Sequence, residues 1–254
     1  MTALEFSKVS FRYTKDSPLL LDQLSFQVEQ GEFVSILGPS GAGKSSLFRL
    51  MNGLLQPEEG RILAEGVPIA EKKRYFGYMP QQDLLFPWRT VAENVGLPLE
   101  LGDKPLGKQA RCEQVEAALQ AVGLGGWADQ SPLSLSGGMR QRAAFARTLL
   151  TGAKLLLLDE PFSALDYMTR LSMREWLLDR WRQEERTILF VTHDVEEAIF
   201  LSGRILVITS RPVQALREFQ VPLPYPRTVE SLGQAAALAL KRELIQLLAK
   251  EMTA

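Results

Sequence analysis

Apolar and polar residues alternate from the first positions of the chain: Leu4 and Phe6, then Val9, Phe11 and Tyr13 after a slip of phase. A period of two predicts a strand, and the slip predicts a bulge in it. A second β-like run covers 19–28, Gln30-Gly31 marks a turn, and 32–37 (EFVSIL) is short and apolar enough to be a buried strand. A glycine-rich segment at 38–43 follows, then a helix over about 44–53, with further strands at 61–63 and 75–79. From about 91 to 150 the period becomes helical, as in 112–122 and 139–150. Strand signals return at 154–158 (KLLLL) and 187–191 (TILFV), flanking a helix over about 165–184. A short helix is predicted at 194–201 and a last strand at 205–209. Residues 211–228, with prolines at 212, 222, 224 and 226, read as a connector to an amphipathic helix over 229–250. Strands alternating with helices predict a mostly parallel sheet covered on both faces, interrupted by a helical insertion. Neither an internal repeat nor a low-complexity segment is present.

Composition narrows the function classes. The 254 residues are 46% apolar and 23% charged, with a net charge of -1, so no global positive charge points to nucleic acid. No apolar run approaches the roughly 20 residues that span a bilayer. The N-terminal segment lacks the long apolar stretch of a secretory signal. One cysteine, Cys112, cannot form an internal disulfide, which fits a reducing compartment. The expected location is the cytoplasm, unless a partner recruits the chain to a membrane.

The strongest chemical signal is Gly38-Pro39-Ser40-Gly41-Ala42-Gly43-Lys44-Ser45, a full GxxxxGK[ST] motif between an apolar strand and a helix. Glycines let backbone N–H groups curl around an anion, and the following helix start adds a favourable dipole. Lys44 can reach the β- and γ-phosphates, and Ser45 can ligate Mg²⁺. Two other glycine motifs fail: a dinucleotide fingerprint needs glycine where Ser46 stands, and a nucleophile elbow on Ser40 needs glycine where Ala42 stands. The apolar run 155–158 ends in Asp159, placing a carboxylate for Mg²⁺ at a strand end, with Glu160 beside it as candidate general base. His193, the sole histidine, follows another apolar strand, where ligand sites of parallel sheets lie. Ser136-Gly137-Gly138 opens a helix carrying Arg140, Arg142 and Arg147, and reads as a second anion-binding helix start. Two such starts with a single phosphate loop imply that the second serves the nucleotide of another copy.

LSGGMRQR closely resembles the signature motif of the ATP-binding-cassette (ABC) family, usually LSGGQ. The order GPSGAGKSS, Gln81, LSGGM, LLLLDEP, SALD (163–166) and His193 is similar to that family over about residues 4–210. The resemblance implies an ABC-ATPase version of the phosphate-loop NTPase fold: a mostly parallel core sheet, an N-terminal antiparallel β region and a helical signature subdomain. It implies residues 1–228 as the ATPase domain with about 91–150 inserted, and 229–254 as a C-terminal helix without a separate regulatory domain. By the same resemblance Tyr13 stacks on adenine, and Gly38 to Ser46 hold the phosphates. Gln81 touches Mg²⁺ and the attacking water, Asp159 positions Mg²⁺, Glu160 is the base, and His193 contacts the γ-phosphate. Asp166 lies at a dimer seam, and Ser136, Gly137 and Gly138 of one subunit close over ATP held by the other.

Met139 stands where the signature has glutamine, and because Ser136 and the backbone do most of the anion binding, activity is expected to survive. SGGMRQR and the segment 84–90 (LLFPWRT) resemble importers of nitrate, sulfonate, taurine and thiamine-precursor pyrimidines. The implied protein is the ATPase subunit of an importer, a homodimer working with permease subunits and a solute-binding protein, peripheral to the cytoplasmic face of the inner membrane. Phe86 and Trp88 are candidate contacts to a permease helix or else core aromatics. Lys72-Lys73-Arg74 reads as a solvated face. A soluble cassette ATPase of repair or translation is the competing reading, but those relatives carry coiled-coil insertions or fused cassettes that do not fit here. A small-molecule kinase is opposed by LSGGM.

Overall fold

The computed structural model describes residues 1–39, 41–72, 75–102 and 106–251. Strands β1 (Thr2–Phe11), β2 (Leu21–Glu29), β4 (Glu59–Ala64) and β5 (Val67–Pro68) form an antiparallel sheet in the order β2-β1-β4-β5. The phase slip in β1 is a bulge: its pairing with β2 shifts between Phe6 and Val9, and Lys8 sits at φ 51°. Gly60 fits against it because a Cβ there would lie 2.2 Å from the Lys8 carbonyl oxygen.

The second sheet runs β10-β9-β3-β8-β7-β6, built from β3 (Phe33–Leu37), β6 (Phe76–Met79), β7 (Leu155–Asp159), β8 (Thr187–Thr192), β9 (Arg204–Ile208) and β10 (Leu216–Gln220). All pairs are parallel except β9 with β10. Successive residues serve opposite faces. Val34, Ile36, Leu155, Leu157, Leu189 and Val191 join one core with helix α1 (Lys44–Met51) and the antiparallel sheet. Leu156, Leu158, Ile188 and Phe190 join another on the far side. Burial on both faces explains why these strands read as unbroken apolar runs.

The far face is covered by α2 (Val91–Val95), α3 (Leu97–Glu100), α4 (Lys108–Ala121), α5 (Gly137–Leu149) and α6 (Tyr167–Glu184). Helix α2 starts from a capping box on Thr90 and Glu93. Helix α7 (Val195–Leu201) and α8 (Ala235–Glu251) close the edge near β9 and β10, where Ala237, Leu240 and Leu244 join Val207 and Phe219 in a third core. The stretch 211–228 is therefore more than a connector: it contains the antiparallel edge strand β10. The last helix also starts later than expected, because 229–233 form a 3₁₀ turn. Among the described residues no helix is long and apolar enough to cross a membrane.

Candidate nucleotide site

Parallel strands bring the C-terminal ends of β3, β6, β7 and β8 to one sheet edge, so the residues that follow them meet there. After β3 the chain turns through Gly38 and Pro39, with Gly41 at φ 76° and Gly43 at φ 97° before α1 begins. The left-handed backbone at Gly43 favours glycine, and a Cβ there would also crowd the Leu20 side chain at 3.1 Å. Ala42 is buried, and its N–H donates to the Pro39 carbonyl at 3.1 Å. Lys44 is buried, its Nζ donating to the carbonyls of Gly38 at 2.7 Å and Pro39 at 2.9 Å. Burial lowers its pKa, opposed by the charges of Glu160 and Asp159. The expectation for Ser40 lies outside the described residues, as do Lys73 and Arg74; Lys72 itself pairs with Glu65 at 2.6 Å.

Tyr13 stands over the start of α1, its hydroxyl 2.6 Å from Ser46 Oγ and its ring edge-on to Phe11. The ring is more than half exposed, open to a flat ligand. Asp159 ends β7 almost fully buried, and desolvation raises its pKa against the lowering effect of its hydrogen bond with Ser45.

Glu160 is the convergence point. Its Oε2 lies 3.4 Å from Gln81 Nε2 and 3.2 Å from His193 Nδ1, so three residues predicted separately stand together. Its backbone is left-handed, φ 49°, a conformation that costs a residue with a side chain about 1–3 kcal/mol and persists only where neighbours enforce it. Those neighbours are visible. The Glu160 N–H donates to Val191 at 2.9 Å, and its carbonyl accepts from Ser163 Oγ at 3.0 Å and Gln141 Nε2 at 3.1 Å. Gln141 also donates to Ser163 Oγ and accepts from the Ala164 N–H at 2.9 Å. The motif reading missed Gln141. Its signal was a polar residue on the buried side of a helix that opens with a signature-like turn.

Ser136 caps α5, its Oγ accepting from the Met139 N–H at 3.3 Å. Ser136 and Gly137 are exposed, and Gly138 sits where a Cβ would meet the Ala164 carbonyl at 3.1 Å. Among the described residues no hydrogen bond joins this helix start to the chain's own phosphate loop. Of the arginines of α5, Arg140 stays at the helix start, its Nη1 donating to the Leu135 carbonyl at 2.8 Å. Arg140 Nε donates to Asp83 at 3.0 Å, Arg147 grips the carbonyls of Asp83 and Leu84, and Arg142 binds the Val122 carbonyl. Helix α5 thus holds the loop that follows Gln81. Asp166 caps α6 by accepting from the Thr169 N–H at 3.0 Å, and hydrogen bonding from the Thr169 side chain and then this N–H lowers its pKa. Of the two aromatics in that loop, Trp88 is 76% exposed, and Phe86 is half-buried and tilted against it at 5.1 Å. Neither is a core aromatic.

A family model described as ABC transporter matches residues 21–163, from β2 through the phosphate loop and signature helix to Ser163. The chain belongs to the ABC transporter family. This ABC chain is 46% identical over 253 residues to the formylaminopyrimidine import ATP-binding protein ThiZ of Halalkalibacterium halodurans, covering 98% of the chain and 97% of that protein. It is 40% identical over 230 residues to the aliphatic sulfonates import ATP-binding protein SsuB of Bacillus cereus, covering 90% of each. A solved ATP-binding cassette, a dimer in a post-hydrolysis state bound to ADP and Pi, matches with a TM-score of 0.78 at 28% identity, covering 86% of this chain and 98% of that one. The cbiO1 protein of Clostridium perfringens, part of the transporter complex cbiONQ, matches with a TM-score of 0.75 at 25% identity, covering 98% and 96%. The ABC-ATPase fold expected from the motifs is thus the fold observed.

Proposed function

We propose that this chain is the ATP-hydrolysing subunit of an importer for a small solute, of the sulfonate or thiamine-precursor pyrimidine type, working as a homodimer beneath separate permease subunits. The observation that carries the catalytic part is the meeting of Gln81 and His193 on the Glu160 carboxylate, beside the loop that buries Lys44. The cargo class is supported by the names of the relatives over nearly the whole chain.

ATP is the substrate. Tyr13 offers its face to the base, and the N–H groups opening α1 with Lys44 receive the phosphates. Glu160 takes the proton of the attacking water, with Gln81 orienting that water and His193 facing the γ-phosphate. Ser136, Gly137 and Gly138 of a second copy complete the anion site, which accounts for a helix start separate from its own loop. Asp166 lies at the seam between copies. The residue types suit Mg²⁺: the buried Asp159 carboxylate, the Ser45 hydroxyl that lowers its pKa and the Gln81 amide oxygen are all hard oxygen donors that would hold it. When bound, Mg²⁺ neutralises phosphate charge.

Residues 1–228 form the ATPase unit with 91–150 as its helical insertion, and the C-terminal helix buttresses that unit through Ala237, Leu240 and Leu244. In this reading exposed Trp88 beside Phe86 is the permease contact, the chain works at the cytoplasmic face of the membrane, and a solute-binding protein completes the complex. A repair or translation ATPase is disfavoured because the relatives that match over nearly the whole chain are named as import ATP-binding proteins. Purification of the tagged chain from membranes tests the reading. Permease subunits and ATP-dependent phosphate release are expected, and a phosphorylated small-molecule product would contradict it.

A further inference from the structure

One buried ionic cluster has no part in the chemistry above. Arg174, on the buried side of α6, is 6% exposed. Its Nη2 bridges two carboxylates, donating to Asp194 Oδ2 at 3.1 Å and to Glu197 Oε1 at 2.7 Å. Glu197, 5% exposed, accepts through its other oxygen from Thr192 Oγ1 at 2.6 Å. Thr192 Oγ1 in turn accepts from the Asp194 N–H at 3.0 Å. Both residues flanking His193 are thus tied to α6, while the imidazole itself is exposed and contacts Glu160.

We infer that Arg174 is a positioning residue for His193, linking the helix that starts at the copy-to-copy seam to the imidazole beside Glu160. Packing alone does not require it. A buried ion pair of this kind is commonly replaceable by apolar side chains without loss of stability. The cluster moreover leaves Arg174 Nε buried without a partner, so it is not a fully satisfied polar core. What Nη2 secures is geometry. Arg174 lies eight residues after the Asp166 cap, about 12 Å along a rigid helix at 1.5 Å per residue. A displacement of α6 at the seam therefore reaches Asp194 and Glu197 through one nitrogen, and His193 through its two neighbours. Lysine can place a single donor where Nη2 stands; methionine cannot.

The inference rests on the ATPase reading, but its first test needs no nucleotide. His193 is the only histidine of the chain, so its ring signals in a proton–carbon spectrum are identified without assignment. The pair Arg174→Met with Glu197→Gln removes the bridge without burying a lone charge and keeps an acceptor for Thr192. Its ring signal is expected to shift and broaden, whereas Arg174→Lys leaves it in place. In turnover the pair lowers kcat by about tenfold or more at unchanged KM for ATP, and Arg174→Lys stays within about twofold. Added to His193→Ala, the pair costs less than about twofold, because the residue it positions is already gone. An unmoved ring signal, or a loss that multiplies that of His193→Ala, overturns the inference. If the pair does not fold, Arg174→Gln removes the charge and the bridge from α6 while keeping a polar side chain, and must reproduce the shift; an unmoved signal there is equally contrary. Absence of hydrolysis by the wild-type chain would overturn the functional reading and leave the spectroscopic result standing.

Discussion

Glu160 holds its carboxylate in place through a strained backbone, and Gln141 is the brace most open to test. Gln141→Leu keeps the side-chain size on a buried helix face and removes three hydrogen bonds, to the Glu160 carbonyl, Ser163 Oγ and the Ala164 N–H. At about 0.5–1.5 kcal/mol each, partly offset by the apolar replacement, the expected loss of unfolding free energy is about 2–3 kcal/mol. The catalytic effect has a different origin. If release of Glu160 from its left-handed conformation recovers about 1–3 kcal/mol, the productive carboxylate is disfavoured by that amount, a factor of about 5–150. Steady-state phosphate release should therefore show kcat down by about 5–150-fold with KM for ATP nearly unchanged, since Lys44 and its loop are untouched. Urea unfolding followed by tryptophan fluorescence supplies the stability term. A variant that loses stability but keeps kcat within about twofold would refute the bracing argument.

Three further predictions rest on separate residues. Burial raises the Asp159 pKa, so its penalty to folding is absent below the unfolded pKa and grows as pH rises from there through the folded one; Asp159→Asn should raise the melting temperature at pH 7, lose that gain by about pH 3.5, and abolish hydrolysis, while a lower melting temperature at pH 7 would reverse the sign. Lys44→Ala removes the buried ammonium that faces the phosphates and should weaken ATP binding by about 10–150-fold in calorimetry, the worth of a charged hydrogen bond; wild-type affinity would remove the phosphate-loop assignment. Trp88→Ala changes an exposed side chain, so stability and basal hydrolysis should stay near wild type while capture of the permease subunits drops by about 30-fold or more, and undiminished capture would move the docking site elsewhere.

Much of this was legible in the residues. The phosphate loop, the acid-ended strand and the lone histidine each carry a local pattern, and parallel pairing alone brings them to one edge. What the pattern hid is long-range. Strand β10 lies among prolines and buries only Phe219, with Leu216 half-buried against another core, so its alternation is too weak to register. The last helix seemed longer because the apolar spacing continues through a 3₁₀ turn. The bracing role of Gln141 could not come from LSGGMRQR, because its partners at Glu160 and Ala164 lie 19 and 23 residues away. The left-handed backbone of Glu160 has no signature in residue type at all.

The central claim is that each nucleotide is clasped between two copies. The decisive measurement is a crystal structure of Glu160→Gln with ATP and Mg²⁺, a variant that binds without turnover. The account predicts a dimer in which Ser136 Oγ of one copy lies within about 3 Å of a γ-phosphate oxygen held by the other. A monomer with ATP bound, or a dimer whose Ser136 faces solvent, would contradict it.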